Sequence, residues 1–211
     1  MTDSFLTIAA PTEALFKDKG SKFIAYAYPV ETEEEIKDYI ATLKKEHYAA
    51  RHHCFAWRLG ADLTNFRAND DGEPSSTAGK PILGQIQKAE LTNILIVVVR
   101  YFGGVLLGTS GLINAYRNAA ALAIEEANIE EQLVMVNFWV EFDYLAMNDV
   151  MKVFKNEQIE QKKNNFDLQC RILTAVRKND SERIIKQFEE IEGAKVNLAP
   201  SNSPKGAKKT T

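Results

Sequence analysis

An unbroken apolar run near the middle of the chain, residues 94–99 (ILIVVV), constrains the fold more than any other segment. Its β-branched residues and short length predict a strand that is covered on both faces. Arg100 and Tyr101 end the run, and the glycine-rich residues 103–111 then lead into a predicted helix. Because the first amides of a helix lack intrahelical partners and its dipole favours negative charge, this connection is suited to holding a phosphate. A tight turn without any ligand requires the same glycines, so both interpretations stand.

Composition indicates an ordinary folded chain and limits the classes of function. The 211 residues are 45% hydrophobic and carry a formal net charge of −3. Residues 1–131 contain 13 Lys and Arg against 18 Asp and Glu, a net charge of −5, whereas the remainder contains 13 against 11, a net charge of +2. Neither part is as basic as a high-affinity nonspecific nucleic-acid binder, so any contact with nucleic acid is expected to be local.

Targeting signals and cysteine usage indicate the cytoplasm. No apolar run approaches the ~20 residues of a membrane span, and the first residues, MTDSFLT, lack a basic and apolar leader. We therefore expect a cytoplasmic protein without membrane contacts. The distant Cys54 and Cys170 predict neither a disulfide framework nor a four-ligand metal site. His52 and Cys54 share a face of a predicted strand, where a packed thiol beside a hydrogen-bonded imidazole is favoured over a metal pair.

A polar segment, residues 67–81, contains three carboxylates, three hydroxyls and two flanking bases. Asp70, Asp71 and Glu73 are hard oxygen ligands of the kind that magnesium prefers. In a second interpretation, residues 75–80 begin a helix whose amides and hydroxyls meet a phosphate. In a third, the segment is an ordinary loop in which Thr77 caps the following helix. The residues alone leave these interpretations open.

The sequence pattern changes after about residue 130. Alternating apolar residues between 134 and 142 predict a strand, and a helix, two strands, a helix and a strand follow, with Leu168 on the third strand. This β-α-β-β-α-β order is that of ferredoxin-like domains. We therefore predict an α+β protein with domains at residues 1–130 and 131–199. The Ser-, Pro- and Lys-containing residues 200–211 are predicted to be a disordered tail.

Three separated motifs resemble the YigZ/IMPACT family of small cytoplasmic proteins. They are RHHCFAW at residues 51–57, DDGEPSSTAGKP at residues 70–81 and VVVRYFGGVLLGTSGLINAY at residues 97–116. The resemblance implies an N-terminal domain similar to a small-subunit ribosomal protein and to domain IV of elongation factor G. It also implies a C-terminal domain similar to domain V of that factor. Both relatives touch RNA, and eukaryotic family members are linked to translational control.

From the residues and the resemblance together, we favour a non-enzymatic RNA- or ribosome-associated protein with no cofactor. Its polar segment and glycine-rich loop would form one concave patch, with amides at the helix starts Ala78 and Gly111 facing phosphate and Tyr101 or Phe102 stacking on a base. The predicted phosphate- and nucleic-acid-binding residues are Arg67, Asp71, Ser75, Ser76, Thr77, Lys80, Arg100, Tyr101, Gly103, Gly104, Thr109, Ser110 and Gly111.

Two alternatives use the same loops. The ribosomal-protein-like fold is shared with small-molecule kinases, so the chain is alternatively a magnesium-dependent nucleotide-binding enzyme in which Asp70, Asp71 or Glu73 holds the ion or acts as a base. Fold analogy is weak evidence for chemistry, and no nucleophile and base pair stands out. In the other alternative, the loops are a rigid surface for a protein partner of the translation machinery.

Overall fold

The computed structural model describes residues 3–166 and 170–199. The chain divides into two compact units, one formed by Ser4–Gln132 and the other by Asp3 together with the residues from Leu133 onward. Both units are mixtures of helices and antiparallel sheets. The overall class is therefore α+β, as the sequence predicts.

The first unit contains seven strands and three helices. In chain order they are β1 (Ser4–Ile8), β2 (Thr12–Asp18), β3 (Ser21–Pro29), α1 (Glu33–Glu46), β4 (His52–Leu59), β5 (Asn65–Asn69), α2 (Gly79–Lys88), β6 (Ile94–Tyr101), α3 (Gly108–Glu125) and β7 (Ile129–Leu133).

Strand β6 lies at the centre of the main sheet, whose order is β2-β3-β6-β4-β5 with every pair antiparallel. The side chains of residues 94–99 are fully buried. Helices α2 and α3 cover one face with a core that includes Phe23 and Ile96, and α1 covers part of the other face beside Leu95 and Val97. The prediction of a strand covered on both faces is confirmed.

The register of β4 on β6 fixes which segments meet at one end of the sheet. His52, the first residue of β4, lies opposite Arg100 near the end of β6. The first residue of β4 and the last residues of β6 therefore lie at the same end of the sheet. On the other side of β6, Lys22 of β3 pairs with Tyr101, so the β2–β3 turn also lies at this end.

The helix starts differ in how their amides are satisfied. Helix α1 begins with a capping box, in which Thr32 and Glu35 each accept a backbone amide of the other. Thr77 does not cap α2, because its hydroxyl donates to the Pro74 carbonyl, 2.7 Å away. Helix α3 begins at Gly108, three residues before the predicted Gly111.

The second unit contains four strands and two helices. They are β8 (Met135–Phe142), α4 (Met147–Asn156), β9 (Gln161–Phe166), β10 (Cys170–Arg177), α5 (Lys178–Glu189) and β11 (Ala194–Leu198). A 3-10 turn, Tyr144–Ala146, precedes α4.

The four strands form an antiparallel sheet of order β11-β8-β10-β9, with α4 and α5 packed on one face. The predicted β-α-β-β-α-β element order is therefore present. Leu168 and residues 200–211, on which two of the sequence predictions fall, lie outside the described residues. Among the described helices, none is long and apolar enough to cross a membrane.

Gly103 tests how tightly the glycine-rich loop is packed. A Cβ atom at Gly103 would lie 1.9 Å from the Gly20 carbonyl carbon, so backbone would have to move. We expect Gly103→Ala to lower the free energy of unfolding by about 2 kcal/mol or more, measured by urea denaturation. The matched control is Gly84→Ala within α2, where a Cβ meets nothing within 4 Å. That variant should raise stability by about 0.5–1 kcal/mol, and equal effects of the two substitutions would contradict the packing.

Candidate functional site

The polar segment and the glycine-rich loop are joined by one buried carboxylate, that of Glu73. Its Oε1 accepts a hydrogen bond from Arg100 Nη1 at 2.6 Å and another from the Tyr116 hydroxyl at 2.8 Å. All three side chains are buried. Because Arg100 lies on β6 and Tyr116 on α3, Glu73 ties the polar segment to the strand and to the helix that flank the glycine-rich loop.

The Asp70 side chain caps the N-terminal end of α2. Its carboxylate accepts hydrogen bonds from the amides of Ser76 (2.8 Å), Ala78 (3.0 Å) and Gly79 (2.8 Å). Burial favours a higher pKa for Asp70, but these amides together with Lys80 outweigh it and hold the pKa below its ordinary value. The prediction that the Ala78 amide binds a phosphate is therefore wrong for this structure, since the chain's own carboxylate occupies it.

Asp71 holds the start of β4. Its Oδ1 lies 3.1 Å from Lys44 Nζ, and its Oδ2 accepts the His53 amide at 2.7 Å. The His52 Nδ1 contacts the Asp71 carbonyl oxygen at 2.9 Å. Burial lowers the pKa of His53 below its ordinary value, although Asp71 acts in the opposite direction. Asp71 therefore positions the start of β4 and lies beside the imidazoles of His52 and His53.

The three carboxylates do not converge on a common point. Asp70 faces amides, Asp71 faces Lys44 and the β4 backbone, and Glu73 faces Arg100 and Tyr116. Among residues 3–166 and 170–199, no group of three or more His, Cys, Asp or Glu side chains could hold a metal ion. Each of the three carboxylates therefore has its own partners within the chain.

Cys54 belongs to the same buried network. Its thiol donates to the Asp70 carbonyl at 3.0 Å and to the Tyr116 hydroxyl at 3.3 Å. Burial raises the pKa of Cys54 far above its ordinary value, with Tyr116 acting in the opposite direction. A thiol held protonated in this way is a poor nucleophile, and the packed-thiol interpretation is confirmed.

A cavity of about 580 Å³ opens at the end of the sheet, where β4 begins and β6 ends. Its lining combines cationic side chains, an imidazole, two aromatic rings and apolar groups. The lining residues are Ala49, Arg51, His52, Arg100, Tyr101, Phe102 and Leu106. We call this the β4–β6 cavity.

The cationic groups of the β4–β6 cavity are of two kinds. Arg51 is exposed and makes no ion pair with any residue in the described ranges. Arg100 is buried and paired with Glu73, but its Nε has no hydrogen-bond partner within the described part of the chain. Its guanidinium also lies 5.5 Å from the Phe23 ring centroid and 5.8 Å from that of Phe102. Arg51 is therefore the more available of the two for an anionic ligand.

The two aromatic rings differ in freedom. The Tyr101 hydroxyl lies 2.9 Å from His47 Nδ1, and His47 Nε2 lies 2.8 Å from the Tyr26 hydroxyl. Burial, the largest cause, raises the pKa of Tyr26 to about 12. The protonated Tyr26 hydroxyl therefore takes part in the hydrogen-bonded series Tyr26–His47–Tyr101 at neutral pH. Phe102 is 57% exposed. Tyr101 therefore presents a fixed ring, and Phe102 presents an accessible one.

The start of α3 lies two residues beyond Leu106 and differs from the start of α2. No side chain in residues 3–166 or 170–199 caps it, and its first turn contains no acidic residue. Thr109 and Ser110 are exposed in that turn. The positive end of this helix therefore remains suited to an anion, as the sequence predicts for the glycine-rich loop.

The structure separates the predicted site residues into groups. Arg100 and Tyr101 line the β4–β6 cavity, and Gly103, Gly104, Thr109, Ser110 and Gly111 continue from it along the loop and into α3. The polar-segment residues do not line this cavity. Of these, Arg67 is exposed on the edge strand β5, Ser75 and Lys80 are exposed, Ser76 is half-buried, Thr77 is buried, and Asp71 has the internal partners described above.

Sequence reasoning missed four lining residues, which are Ala49, Arg51, His52 and Leu106. Arg51 and His52 begin the RHHCFAW motif, which the sequence indicates to be a family motif. Their place in the cavity, however, depends on the pairing of His52 with Arg100. Such a long-range register is not written in local periodicity. Leu106 is an exposed apolar residue whose place in the cavity depends on the path of the loop.

Comparison with known proteins places these motifs in a family. The family model described as the Impact N-terminal domain matches residues 19–124. The chain is 36% identical over 172 residues to an IMPACT family member of Haemophilus influenzae, covering 81% of this chain and 82% of that protein. It is 34% identical over 176 residues to the IMPACT family member YigZ of Escherichia coli, covering 82% and 85%.

A solved structure that matches nearly the whole chain is among the similar proteins. It is described as the crystal structure of a hypothetical protein and is 27% identical, with a TM-score of 0.74 over 96% of this chain and 100% of that one. The fold is therefore shared along almost the full described length.

Removing the Glu73 charge should destabilise the first unit strongly. Glu73→Gln keeps the size of the side chain but leaves Arg100 buried without its counter-charge, so we expect a loss of about 3–5 kcal/mol in the free energy of unfolding. Adding Arg100→Met should recover part of the loss in a double-mutant cycle. The control, Lys152→Gln, removes an exposed ion pair with Asp149 and should cost less than about 1 kcal/mol. A comparably small effect of Glu73→Gln would refute the role of Glu73.

Asp70 should give stability a specific pH dependence. Because the folded pKa of Asp70 is depressed, its contribution is fully present above the unfolded value, which lies near 3.8, and is lost as pH falls through the folded pKa. We expect Asp70→Asn to cost about 1–2 kcal/mol at pH 7 and progressively less below pH ~4. Urea denaturation across this range measures the difference. Asp38→Asn, at an exposed carboxylate on α1, should follow the unmodified protein, and a pH-independent cost of Asp70→Asn would count against the capping role.

Proposed function

The chain belongs to the IMPACT family, and on that premise we propose that it is a non-enzymatic RNA- or ribosome-associated protein that acts in the regulation of translation. The association with translational regulation comes from the family. The contact with RNA is argued from the β4–β6 cavity and the adjacent start of α3. A role at the ribosome also implies a cytoplasmic location, which is part of the same proposal.

The observation that carries the RNA proposal is the composition of the β4–β6 cavity. Arg51 offers a cation that has no ion-pair partner among the described residues, and Phe102 offers an exposed ring in the same cavity lining. RNA presents phosphates that cations position and base faces that aromatic side chains stack on. A cavity of about 580 Å³ lies within the size range of nucleotide-sized ligand sites.

The start of α3 extends this surface along the backbone of a bound strand. Thr109 and Ser110 place hydroxyls beside amides that no side chain of the described residues caps. A phosphate at a helix start accepts hydrogen bonds from such groups and is favoured by the helix dipole. One nucleotide in the cavity and a neighbouring phosphate at Thr109 together define the proposed contact.

The acidic and thiol groups near the β4–β6 cavity are engaged within the chain, and our proposal therefore rests on binding. The lining of the β4–β6 cavity contains no carboxylate and no thiol among the described residues. Glu73 and Asp70 are each engaged by internal donors, and Cys54 is buried with a raised pKa.

The interaction-module alternative is favoured by one observation. Phe102, Val105 and Leu106 are exposed by 57%, 50% and 84% of their surface, which gives the glycine-rich loop an apolar surface. An apolar patch of this kind also suits a protein partner. Co-sedimentation with ribosomes before and after ribonuclease treatment separates the two, because association through a protein partner would survive digestion of accessible RNA.

The finer fold assignments belong to the same proposal. We assign residues 1–130 to a domain similar to a ribosomal protein and to domain IV of elongation factor G, and residues 131–199 to a ferredoxin-like domain similar to its domain V. The strand order β11-β8-β10-β9 supports the second assignment, since it places the first and third strands of the β-α-β-β-α-β unit at the centre of its sheet.

Two substitutions in the β4–β6 cavity should weaken RNA binding. Phe102→Ala removes a stacking ring and should reduce affinity for single-stranded RNA about tenfold, measured by fluorescence anisotropy. Arg51→Ala removes one phosphate contact and should lower the slope of log affinity against log salt by about 0.7. Arg100 is left intact because its loss would also unpair Glu73.

Lys88→Ala is the matched control for charge, since Lys88 is exposed in the last turn of α2, outside the cavity lining. We expect it to bind RNA like the unmodified protein. Lys80→Ala, at a residue predicted from sequence but outside the cavity lining, separates the two possible positions of the site. Normal binding by Arg51→Ala and Phe102→Ala, with loss in Lys80→Ala, would move the contact from the cavity to the start of α2.

A further inference from the structure

The sheet of the second unit has one covered face and one open face. Along β8, Phe138, Val140 and Phe142 are buried against α4 and α5. The alternate residues Trp139 and Glu141 point to the other side, and neither is fully buried. The helices of this unit therefore leave one side of the sheet available.

The register places an aromatic residue in the middle of the open face. Trp139 lies opposite Leu173 of β10 on one side and Asn197 of β11 on the other, and Leu173 lies opposite Lys163 of the edge strand β9. These residues form one row across all four strands. Half-buried Trp139 and Leu173 are its apolar centre, and exposed Lys163 and Asn197 are its polar ends.

A second row lies beside the first and is mainly basic. Glu141 faces Arg171 of β10 on one side and Lys195 of β11 on the other, so two cations flank one carboxylate. The Arg171 guanidinium lies 5.0 Å from the Trp139 ring centroid, which joins the two rows. We call Trp139, Lys163, Arg171, Leu173, Lys195 and Asn197 the open sheet face.

Two basic side chains of the open sheet face are without an acidic partner among the described residues. Lys163 and Lys195 make no ion pair with any residue in 3–166 or 170–199. Glu141 accepts a hydrogen bond from Asn197 Nδ2 at 3.1 Å. Three basic residues against one carboxylate give this face a net positive charge, which is complementary to a polyanion.

An unsatisfied polar group lies next to these rows. Asn137 alternates on β8 to the same side as Trp139 and is only 5% exposed. Its Oδ1 accepts a hydrogen bond from Lys162 Nζ at 3.0 Å, but its Nδ2 has no partner within the described residues. A buried donor without an acceptor is costly, and this one lies on the side of β8 that carries Trp139 and Glu141.

We propose that the open sheet face binds single-stranded RNA, with one base stacked on the Trp139–Arg171 pair and phosphates beside Lys163 and Lys195. A four-stranded sheet with an aromatic residue on a central strand accommodates unstacked bases, whereas a duplex hides its base faces. This surface is additional to the β4–β6 cavity. The choice of RNA as its ligand rests on the proposed function, whereas the position of the surface does not.

Tryptophan fluorescence reports on this surface selectively. The two tryptophans are Trp57, which is 5% exposed in the first unit, and Trp139. In a Trp57→Phe background, titration with a single-stranded oligouridine should quench Trp139 emission in a saturable way, and duplex RNA should not. Anisotropy of labelled oligouridine with the unmodified protein provides a parallel measurement that does not depend on how Trp57→Phe folds.

Paired substitutions identify the source of binding. Lys163→Ala with Arg171→Ala should weaken oligouridine binding about tenfold and lower the salt slope by about 1.4, because two charges that contact the strand are lost. The control is Lys152→Ala with Lys155→Ala on α4, which covers the opposite face of the sheet, and it should bind normally.

The outcomes separate this proposal from the proposed function. If oligouridine binds saturably without quenching Trp139, and binds the Lys163/Arg171 variant equally well, the open sheet face is not an RNA-binding surface. If Arg51→Ala then loses this binding, the β4–β6 cavity remains the RNA-binding site. Loss of binding in the Lys163/Arg171 variant together with normal binding in Arg51→Ala would support the face and overturn the cavity. No binding of oligouridine by the unmodified protein would overturn both.

Discussion

The buried ion pair between Glu73 and Arg100 is the interaction on which the site end of the first unit depends. Two charges removed from water carry a large desolvation penalty, which is offset here by a short hydrogen bond and by the Tyr116 hydroxyl. Loss of either partner would leave a buried charge uncompensated. The pair therefore fixes the polar segment against β6 and α3, and the β4–β6 cavity takes its shape from that arrangement.

This constraint changes the roles of the residues in the motifs. Acidic residues that resemble metal ligands in the sequence serve the chain itself, with Asp70 closing the start of α2 and Asp71 holding the start of β4. The start of α3, reached through an exposed loop, has no such internal anion among the residues that the structure describes. Asp70 thus occupies the start of α2, whereas the start of α3 is available to an outside anion. The cationic and aromatic residues of the β4–β6 cavity lie near this second helix start.

Much of the fold follows from local patterns. The apolar run of β6, the capping box of α1 and the β-α-β-β-α-β order were all predictable because each is written in short-range periodicity. Strands β5 and β7 were not predicted, since NFRAN and IEEQL are exposed edge segments without a clear apolar alternation. The site was predicted in part. Arg100 and Tyr101 adjoin the glycine-rich loop in sequence, whereas Arg51 and His52 reach the cavity only through the register of β4 on β6.

Ultraviolet crosslinking of the full chain to uridine-rich single-stranded RNA, with the crosslinked peptides identified by mass spectrometry, tests the central claim most directly. If the β4–β6 cavity is the contact in the first unit, crosslinks should fall on the peptide containing Tyr101 and Phe102 and should disappear with excess unlabelled RNA. Crosslinks in the first unit that fall only between Arg67 and Lys80, or saturated binding with none in that unit, would contradict it.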